Sequence, residues 1–485
     1  MSEELLRRPA AEIAAAVRAG RARAIDIVEA ALAAIAADQL GAFVHVDPDG
    51  ARRSAGAIDA AVDAGHDVGP LAGVPIGVKD LEDCAGMPTR CGSLLLADAT
   101  PAVGDSVLVA RLRAAGAIPV GKTASAEFGC DSVTATRLHG VTRNPWAPDR
   151  TPGGSSGGSA AAVSAGLVPL ATGSDAGGSL REPAAYCGLV GLKPTHGLLG
   201  RSTSSAIVVS GVLATTVADV AIALDAAAGP HLRDRWSLPS SPLRLADGVA
   251  DQSTLRRPLR ARFSADLGYA ATDPETVALA RSAATRLAAA AGFELDEQPV
   301  RLPDGRGPWL ALAGHAVRHE LERLAPWPEL LEQLCPTTAW CALHGDAQST
   351  ADLAAAERAC GELELALAEL LGEIDLLITP STACPPFAAE GPIPVVIGGE
   401  NAGLSGAEPF GPLPNLTGTP AISLPAGLTT DGLPVGVQLL GARGTDGLLL
   451  SVAAAGEAAD PWPRLAPARV DVPVSTSRRG TPSVA

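Results

Sequence analysis

The chain has 485 residues, of which 47% are hydrophobic and 19% are charged. Such a chain is too apolar to be intrinsically disordered and long enough to bury a substantial core. Its formal net charge is −16 and it has no block rich in Lys or Arg, which argues against nucleic-acid binding because acidic surfaces repel the phosphate backbone. Aromatic residues contribute only 3%, so we expect a core of Ala, Val, Leu and Ile.

No segment of the sequence predicts a membrane span or a signal peptide. The N-terminus begins with acidic residues and lacks an apolar core, which indicates an amphipathic helix. Residues 151–174 carry no charge, but six glycines together with Pro152 and Pro169 make this stretch a poor membrane helix. We therefore expect a cytoplasmic protein without membrane contact.

Cysteine and histidine spacing gives no sign of a disulfide framework or of a metal site. The eight cysteines form no CxxC pair and are expected to stay reduced. His315 and His319 stand four residues apart on a predicted helix, but no Glu lies between them as a metalloprotease motif requires. No metal ion is expected.

The first half of the chain alternates between predicted helices and strands. Residues 9–37 predict two helices separated by a glycine, and residues 73–79 predict a short apolar strand that ends at a lysine. A helix over 104–117 and a strand over 117–121 follow, and the alternation continues through 160–225. This order is typical of an α/β fold, in which helices cover both faces of a sheet.

The second half begins with a Pro-, Ser- and Arg-rich stretch at 228–255, which predicts a long surface connection. Later elements are three helices, a strand, a Gly- and Pro-rich loop near a pocket, and a hairpin, predicted at 272–291, 309–325, 350–372, 374–380, 385–413 and 421–439. We expect one domain over 1–460, with an N-terminal helical segment at 1–40. Residues 461–485 predict a flexible tail.

Two Gly-Gly-Ser turns, at 153–155 and 177–179, lie 24 residues apart and are joined by an uncharged, Ala-rich helix and a short strand. Glycines let backbones approach closely and leave N–H groups free to point at a ligand oxygen. A phosphate-binding P-loop would need a lysine that neither turn supplies. The GxSxG match at 153–157 would need a later acid and histidine to form an α/β-hydrolase triad, and plain structural turns are a further alternative.

Lys79 ends the apolar strand at 73–79. A lysine at a strand end is usually a solvated charge. In apolar surroundings, however, its reference pKa of roughly 10.4 can fall by several units, and the neutral amine can then act as a base.

Eight segments together resemble the amidase signature family of serine hydrolases. They are Gly73–Asp80, Gly121–Thr123, Glu127–Gly129, Asn144–Trp146, Thr151–Thr195, Asp375–Pro380, Asn415–Pro420 and Gly432–Gln438. The resemblance extends in order from about residue 9 to Glu457. It implies an amidase-signature α/β fold, with a large mixed central β-sheet flanked by helices on both faces.

The resemblance also implies a Ser–cis-Ser–Lys triad. Ser179 is the expected nucleophile, Ser155 the bridging serine after a cis peptide bond, and Lys79 the base. Backbone N–H groups of Ala176, Gly177 and Gly178, with Ser179 as a further donor, are expected to form the oxyanion hole. This chemistry needs no metal ion and no organic cofactor.

The expected activity is hydrolysis of a small-molecule amide through an acyl-enzyme, with esters or carbamates as further substrates. A homodimer is expected from the resemblance alone. The alternative is the catalytic subunit of a glutamine-dependent transamidation complex, although no obvious signature of that subunit is present. A catalytically silent homologue is a third hypothesis, against which the intact Lys79, Ser155 and Ser179 argue.

The sequence departs from the family pattern mainly outside the triad. His196–Ser202 replaces the usual basic, Ser-containing stretch, and Gly211-Val212 replaces the usual Gly-Pro. The region 228–413 matches least and is expected to form the substrate pocket, mainly through residues 309–345 and 385–413. Trp309, Trp327, Trp340 and Phe410 are candidates for an apolar acyl site, but core packing is the favoured interpretation for each.

Overall fold

The computed structural model describes residues 2–201, 205–239, 244–250, 258–403 and 406–467. Its α-helices are α1 (Ser2–Leu6), α2 (Ala10–Arg18), α3 (Ala24–Ala36), α4 (Pro48–Asp63), α5 (Val107–Ala114), α6 (Gly157–Ser164), α7 (Arg181–Cys187), α8 (Val217–Ala227), α9 (Leu245–Ala250), α10 (Pro274–Ala291), α11 (Arg306–Leu321), α12 (Pro336–Asp346), α13 (Thr350–Glu373), α14 (Pro412–Leu416) and α15 (Asp446–Ala459).

The β-strands are β1 (Phe43–Val46), β2 (Pro75–Lys79), β3 (Ile118–Thr123), β4 (Ala135–Thr136), β5 (Gly140–Val141), β6 (Leu170–Asp175), β7 (Val190–Lys193), β8 (Val209–Ala214), β9 (Arg260–Phe263), β10 (Glu294–Asp296), β11 (Leu376–Pro380), β12 (Val396–Ile397), β13 (Glu400–Asn401), β14 (Ala421–Leu428) and β15 (Pro434–Leu440).

Eleven strands form one mixed sheet in the order β1-β3-β2-β6-β8-β7-β14-β15-β11-β9-β10. The pairs β2–β3, β2–β6, β9–β11 and β9–β10 are parallel, and the remaining neighbours are antiparallel. The predicted α/β architecture with a large mixed sheet is therefore confirmed. Strands from both halves of the chain share this sheet.

The core consists mainly of small and branched apolar side chains, as the low aromatic content predicts. Strands β2, β3, β6, β8 and β15 are buried along their whole length. Complete burial of these strands indicates that both faces of the sheet are covered there.

Several predicted elements lie where the sequence places them. Helices α2 and α3 flank Gly20, whose φ of +65° suits a glycine at a helix end. Strands β14 and β15 pair antiparallel and form the predicted hairpin. The stretch 228–255 differs from the expectation, because α9 forms within its described part. The expected tail at 461–485 lies outside the described residues from 468 onward.

The eight cysteines are all free thiols, as the scattered spacing predicts. Within the described ranges, no helix combines the length and apolarity that crossing a bilayer requires.

The sheet brings the predicted site residues to one edge. Strands β2 and β6 are parallel neighbours, with Ile76 opposite Leu170 and Gly77 opposite Ala171. The carboxyl ends of parallel strands meet on the same side of a sheet, and ligands bind outside such ends. The two Gly-Gly-Ser turns therefore gather next to the lysine that ends β2.

Candidate active site

Lys79 lies at the carboxyl end of β2 with its side chain fully buried. Its Nζ atom lies 2.7 Å from Ser155 Oγ, 2.7 Å from Ser156 Oγ and 3.1 Å from Ser174 Oγ. In the described part of the chain, no carboxylate oxygen lies within 4.0 Å of this nitrogen. The amine is thus held by hydroxyl groups and not by an ion pair.

Burial lowers the pKa of Lys79 to about 7, and the negative charges of Asp175 and Glu82 offset only part of that effect. A large fraction of the amine is therefore neutral near neutral pH. A neutral amine has two N–H donors and one lone pair. Two donors suffice for Ser156 and Ser174, and the lone pair can accept the proton of the third hydroxyl, Ser155.

The first Gly-Gly-Ser turn presents Ser155 to this amine. The peptide bond between Gly154 and Ser155 is cis, as the resemblance implied, and Ser155 is almost completely buried. A Cβ atom on Gly154 would lie 2.3 Å from the carbonyl oxygen of Asp131, so no larger residue fits there. Helix α6 begins two residues after Ser155 and packs against β2 and β6.

Ser179 lies in the second Gly-Gly-Ser turn, just before α7. Together with Ser155, Ser174 and Ala176 it lines a cavity of about 530 Å³. Such a volume suits a small molecule. Within the described residues, no hydrogen bond links the Ser179 hydroxyl to Ser155. The structure thus joins Lys79 and Ser155 directly and places Ser179 on the wall of the same cavity.

A buried ion pair fixes the turn that carries Ser179. The Asp175 carboxylate accepts from the backbone N–H groups of Gly178 and Leu180 at 2.9 and 3.1 Å, and from the Arg181 guanidinium at 2.8 and 3.0 Å. Burial alone would raise the pKa of Asp175, but the Arg181 charge and its hydrogen bonds hold it at about 2. Arg181 also donates to Gln438 and Asn415, which anchors the turn to the far half of the sheet.

The backbone N–H groups of the turn divide into two sets. Those of Gly178 and Leu180 are already bonded to Asp175. Those of Ala176, Gly177 and Ser179 have no hydrogen-bond acceptor in the described residues. The expectation for Gly178 therefore needs correction, because its N–H points into the turn toward Asp175. The free donors are those of Ala176, Gly177 and Ser179.

Trp309 of α11 covers the outer side of this turn. Its indole N–H donates to the carbonyl oxygen of Ala176 at 2.6 Å. A Cβ atom on Gly177 would lie 2.8 Å from the indole ring, so the glycine allows the ring to lie directly against the backbone. This contact joins residues 133 positions apart in the sequence. Local sequence patterns carry no signal for such a pairing.

A buried pair of acids lies between the two Gly-Gly-Ser turns. Burial raises the pKa of the Glu182 carboxyl well above its ordinary value, with the neighbouring Glu408 adding to the effect, and burial likewise raises the pKa of Glu408. Glu408 accepts from the Ser132 hydroxyl, and a Cβ atom on Gly178 would lie 2.7 Å from one of its oxygens. This pair of acids therefore packs behind the nucleophile turn.

The sequence did not identify Ser156 and Ser174 as partners of Lys79. Ser156 follows Ser155 directly, and Ser174 precedes Asp175 at the end of β6. The only signal in the sequence is that Ser156 stands next to the candidate Ser155, and no pattern in the sequence singles out Ser174. The four aromatic candidates, Trp309, Trp327, Trp340 and Phe410, do not line the cavity. Phe410 is completely buried in the core, and Trp340 is exposed and stacks on His344.

Other residues form the cavity wall. Its apolar part comes from Leu81, Val107, Leu108, Phe128, Val208, Ala316 and Val317. Of the region expected to form the pocket, 309–345 thus contributes through α11. None of the described residues of 385–413 lines this cavity. In the chain as described, no three His, Cys, Asp or Glu side chains are grouped as metal ligands.

Comparisons with known proteins point in one direction. The sequence pattern of the Amidase family matches residues 26–450. The inferred amidase AmiA2 of Mycobacterium tuberculosis is 37% identical over 452 residues, covering 90% of each chain. The glutamyl-tRNA(Gln) amidotransferase of a Synechococcus species has a subunit that is 36% identical over 470 residues, covering 90% of this chain and 94% of its own.

Among solved structures, a bacterial aryl acylamidase of the amidase signature family superposes with a TM-score of 0.87. It is 28% identical in sequence, and the match covers 94% of this chain and 96% of the acylamidase. The similarity therefore extends over nearly the whole length of both chains.

Proposed function

Because this chain belongs to the amidase family and is an amide-bond hydrolase, we propose that Ser179 attacks the substrate carbonyl, Ser155 relays its proton and Lys79 accepts it. The observation that carries this proposal is the contact of 2.7 Å between a fully buried lysine amine and Ser155 Oγ, beside the cavity that Ser179 lines.

The proposed reaction begins with the neutral Lys79 amine. Ser179 Oγ forms a bond to the carbonyl carbon and gives its proton to Ser155 Oγ, whose own proton moves to Lys79 Nζ. The C–N bond of the tetrahedral intermediate then breaks. The ammonium proton of Lys79 returns through Ser155 to the leaving nitrogen, which leaves as a neutral amine.

The second half of the reaction repeats these transfers with water. Water attacks the Ser179 ester and gives a proton to Lys79 through Ser155. The ester bond breaks, Ser179 regains its proton and the acid leaves. No metal ion or organic cofactor takes part in the proposed steps, because one base serves both halves.

We assign the oxyanion hole to the N–H groups of Ala176, Gly177 and Ser179. Each such donor stabilises the transition state by about 3–4 kcal/mol in serine hydrolases. The hydrogen bonds from Gly178 and Leu180 to Asp175 support this assignment, since they hold the turn in one conformation before substrate binds. Preorganised donors need no rearrangement when charge develops on the oxygen.

The substrate is proposed to be a small-molecule amide, with anilides as the first class to test because one solved relative is an aryl acylamidase. A transamidation subunit is the second candidate, since a relative of comparable identity belongs to such a complex. The two candidates differ in one requirement: the subunit would need a partner, and an amidase would act alone.

We propose a cytoplasmic location, because eight free thiols fit a reducing compartment.

Hydrolysis of a small panel by the purified chain tests this function. The panel contains aliphatic amides, anilides, carbamates and free glutamine, and each is compared with the Ser179→Ala variant. We expect the wild type to cleave at least one amide class and Ser179→Ala to be slower by about 10³-fold or more. Full activity in Ser179→Ala would contradict the proposal. Cleavage of glutamine only, and only with added partner subunits, would favour the transamidation complex.

A further inference from the structure

The catalytic cavity has charged residues on its wall whose partners differ. Five lie there: Glu82, Asp83, Arg201, Glu320 and Arg323. Asp83, Glu320 and Arg323 are exposed and lie at the mouth, where water screens their charges. Glu82 and Arg201 lie deeper, so they decide the charge that a bound substrate meets.

Both carboxylate oxygens of Glu82 already accept hydrogen bonds from neighbouring side chains. One carboxylate oxygen accepts from Ser210 Oγ at 2.6 Å, and the other accepts from Ser106 Oγ at 2.6 Å. Both bonds come from side chains that also line the cavity. Glu82 is thus a satisfied part of the wall.

Arg201 is different, because its side chain has no such partners among the residues that the structure describes. Its backbone N–H donates to Asp234 at 3.1 Å, which anchors the residue. In the described part of the chain, its guanidinium makes no hydrogen bond and has no carboxylate oxygen within 4.0 Å. Burial lowers the pKa of Arg201 to about 10, and the charges of Glu82 and Asp234 act in the opposite direction. The group nonetheless stays cationic at neutral pH.

Arg181, which is almost completely buried, shows what a satisfied guanidinium looks like. Arg181 donates to Asp175, Gln438, Asn415 and the carbonyl oxygen of Gly411. A guanidinium has five N–H donors, and leaving them unpaired in a largely buried place costs free energy. Arg201 therefore has donors available for a group that enters the cavity.

The backbone around Arg201 is held in place on the cavity wall. A Cβ atom on Gly200 would lie 2.5 Å from His231 Cβ, and the N–H of Gly229 donates to the carbonyl oxygen of Leu198 at 3.0 Å. The segment thus packs closely against residues 229–231. The guanidinium of an arginine on such a closely packed segment is suited to recognise a planar group.

We propose that Arg201 binds a carboxylate of the substrate, so that the enzyme prefers amides whose other end is a carboxylic acid. The proposal rests on the hydrolase activity at Ser179 and names its substrate class. A carboxylate matches the guanidinium fork in shape. A doubly charged phosphate is a poorer fit, because the buried carboxylate of Glu82 on the same wall would repel it more strongly than a singly charged carboxylate.

Two anilides of equal chain length test this inference. Succinanilate ends in a carboxylate, and butyranilide ends in a methyl group. We expect wild-type kcat/KM to favour succinanilate by about 10-fold or more, the range of a charge-assisted hydrogen bond. Arg201→Gln should lose that preference, so that its kcat/KM for succinanilate falls to the value for butyranilide. Arg323→Gln, at the exposed mouth, should keep the preference because its charge is screened.

Binding to a variant that cannot turn over separates this inference from the proposed mechanism. Calorimetry with Ser179→Ala should give tighter binding of succinanilate than of butyranilide, and adding Arg201→Gln should remove the difference. Equal affinities in Ser179→Ala, or an unchanged difference after Arg201→Gln, would overturn the role of Arg201 whatever the catalytic assays give. A wild-type preference for butyranilide would overturn it as well.

Discussion

Two lysines of this protein end strands of the same sheet and are equally buried, yet their surroundings differ. Lys79 ends β2 and Lys193 ends β7, and both side chains are fully inaccessible to solvent. Burial lowers the pKa of each to about 7. Lys79 contacts three serine hydroxyls beside the cavity, whereas Lys193 donates to the carbonyl oxygen of Pro194 at 2.8 Å.

The comparison separates a low pKa from a catalytic role. Desolvation makes both amines partly neutral near pH 7, so neutrality alone does not select a base. A base also needs a proton donor within hydrogen-bond reach, and Lys79 has Ser155. Lys193 is surrounded by the charges of Asp175, Arg181, Asp446 and Arg443, and it does not line the cavity.

Replacing each lysine by methionine gives the largest expected difference. Methionine keeps the length of the side chain but has no titratable nitrogen. We expect Lys79→Met to lower kcat/KM by about 10³-fold or more, because Ser155 loses the acceptor of its proton. Lys193→Met should stay within about tenfold of the wild type. Steady-state hydrolysis of the best substrate from the panel measures both.

Thermal unfolding serves as the control for this pair, since either substitution alters a buried site. A folded Lys79→Met variant with a large loss of activity supports the account. Equal losses in two folded variants would show that burial, and not the contact with Ser155, explains the effect.

The pH dependence of kcat/KM is a smaller expected effect than the lysine substitutions, but it reports directly on the group that titrates. The lowered pKa of Lys79 means that its neutral fraction rises as pH passes through about 7. We expect kcat/KM to rise about tenfold from pH 6 to pH 8 and then to level off. A lysine with its reference pKa of roughly 10.4 would instead give a rise that continues to about pH 10.

The Lys193→Met variant shows which of the two amines produces the rise in kcat/KM. Its pKa lies in the same range, so Lys193→Met must keep the rising limb if Lys79 is the base. Loss of the limb in Lys193→Met, or a fall in rate above neutral pH, would count against the role of Lys79.

The sequence predicted those parts of the site that short segments encode. The strand that ends at Lys79, the two Gly-Gly-Ser turns and the hairpin at 421–439 each carry a local pattern, and each lies where expected. The α/β fold followed from the alternation of elements. The substrate class did not follow from the sequence, because the cavity wall combines residues from β8, α5 and α11 that meet only in the folded chain.

The remaining differences between the predicted and the observed site arise from the directions in which side chains and backbone N–H groups point. The sequence places Gly178 beside the nucleophile, but only the folded turn reveals that its N–H points to Asp175. Trp309 looked like a candidate for the acyl site, yet its indole bonds to the Ala176 carbonyl behind the turn. Ser174 lies 95 residues from Lys79 in the sequence and still reaches it, because β6 is the neighbour of β2.

The central claim is that Ser179 is the nucleophile and that Lys79 activates it. Labelling with a serine-directed fluorophosphonate, followed by peptide mapping, tests this claim without a known substrate. We predict one adduct on Ser179, formed at a similar rate in Lys193→Met and much more slowly in Lys79→Met. An adduct on Ser155 or another residue, or labelling of Ser179 at an unchanged rate in Lys79→Met, would contradict the account.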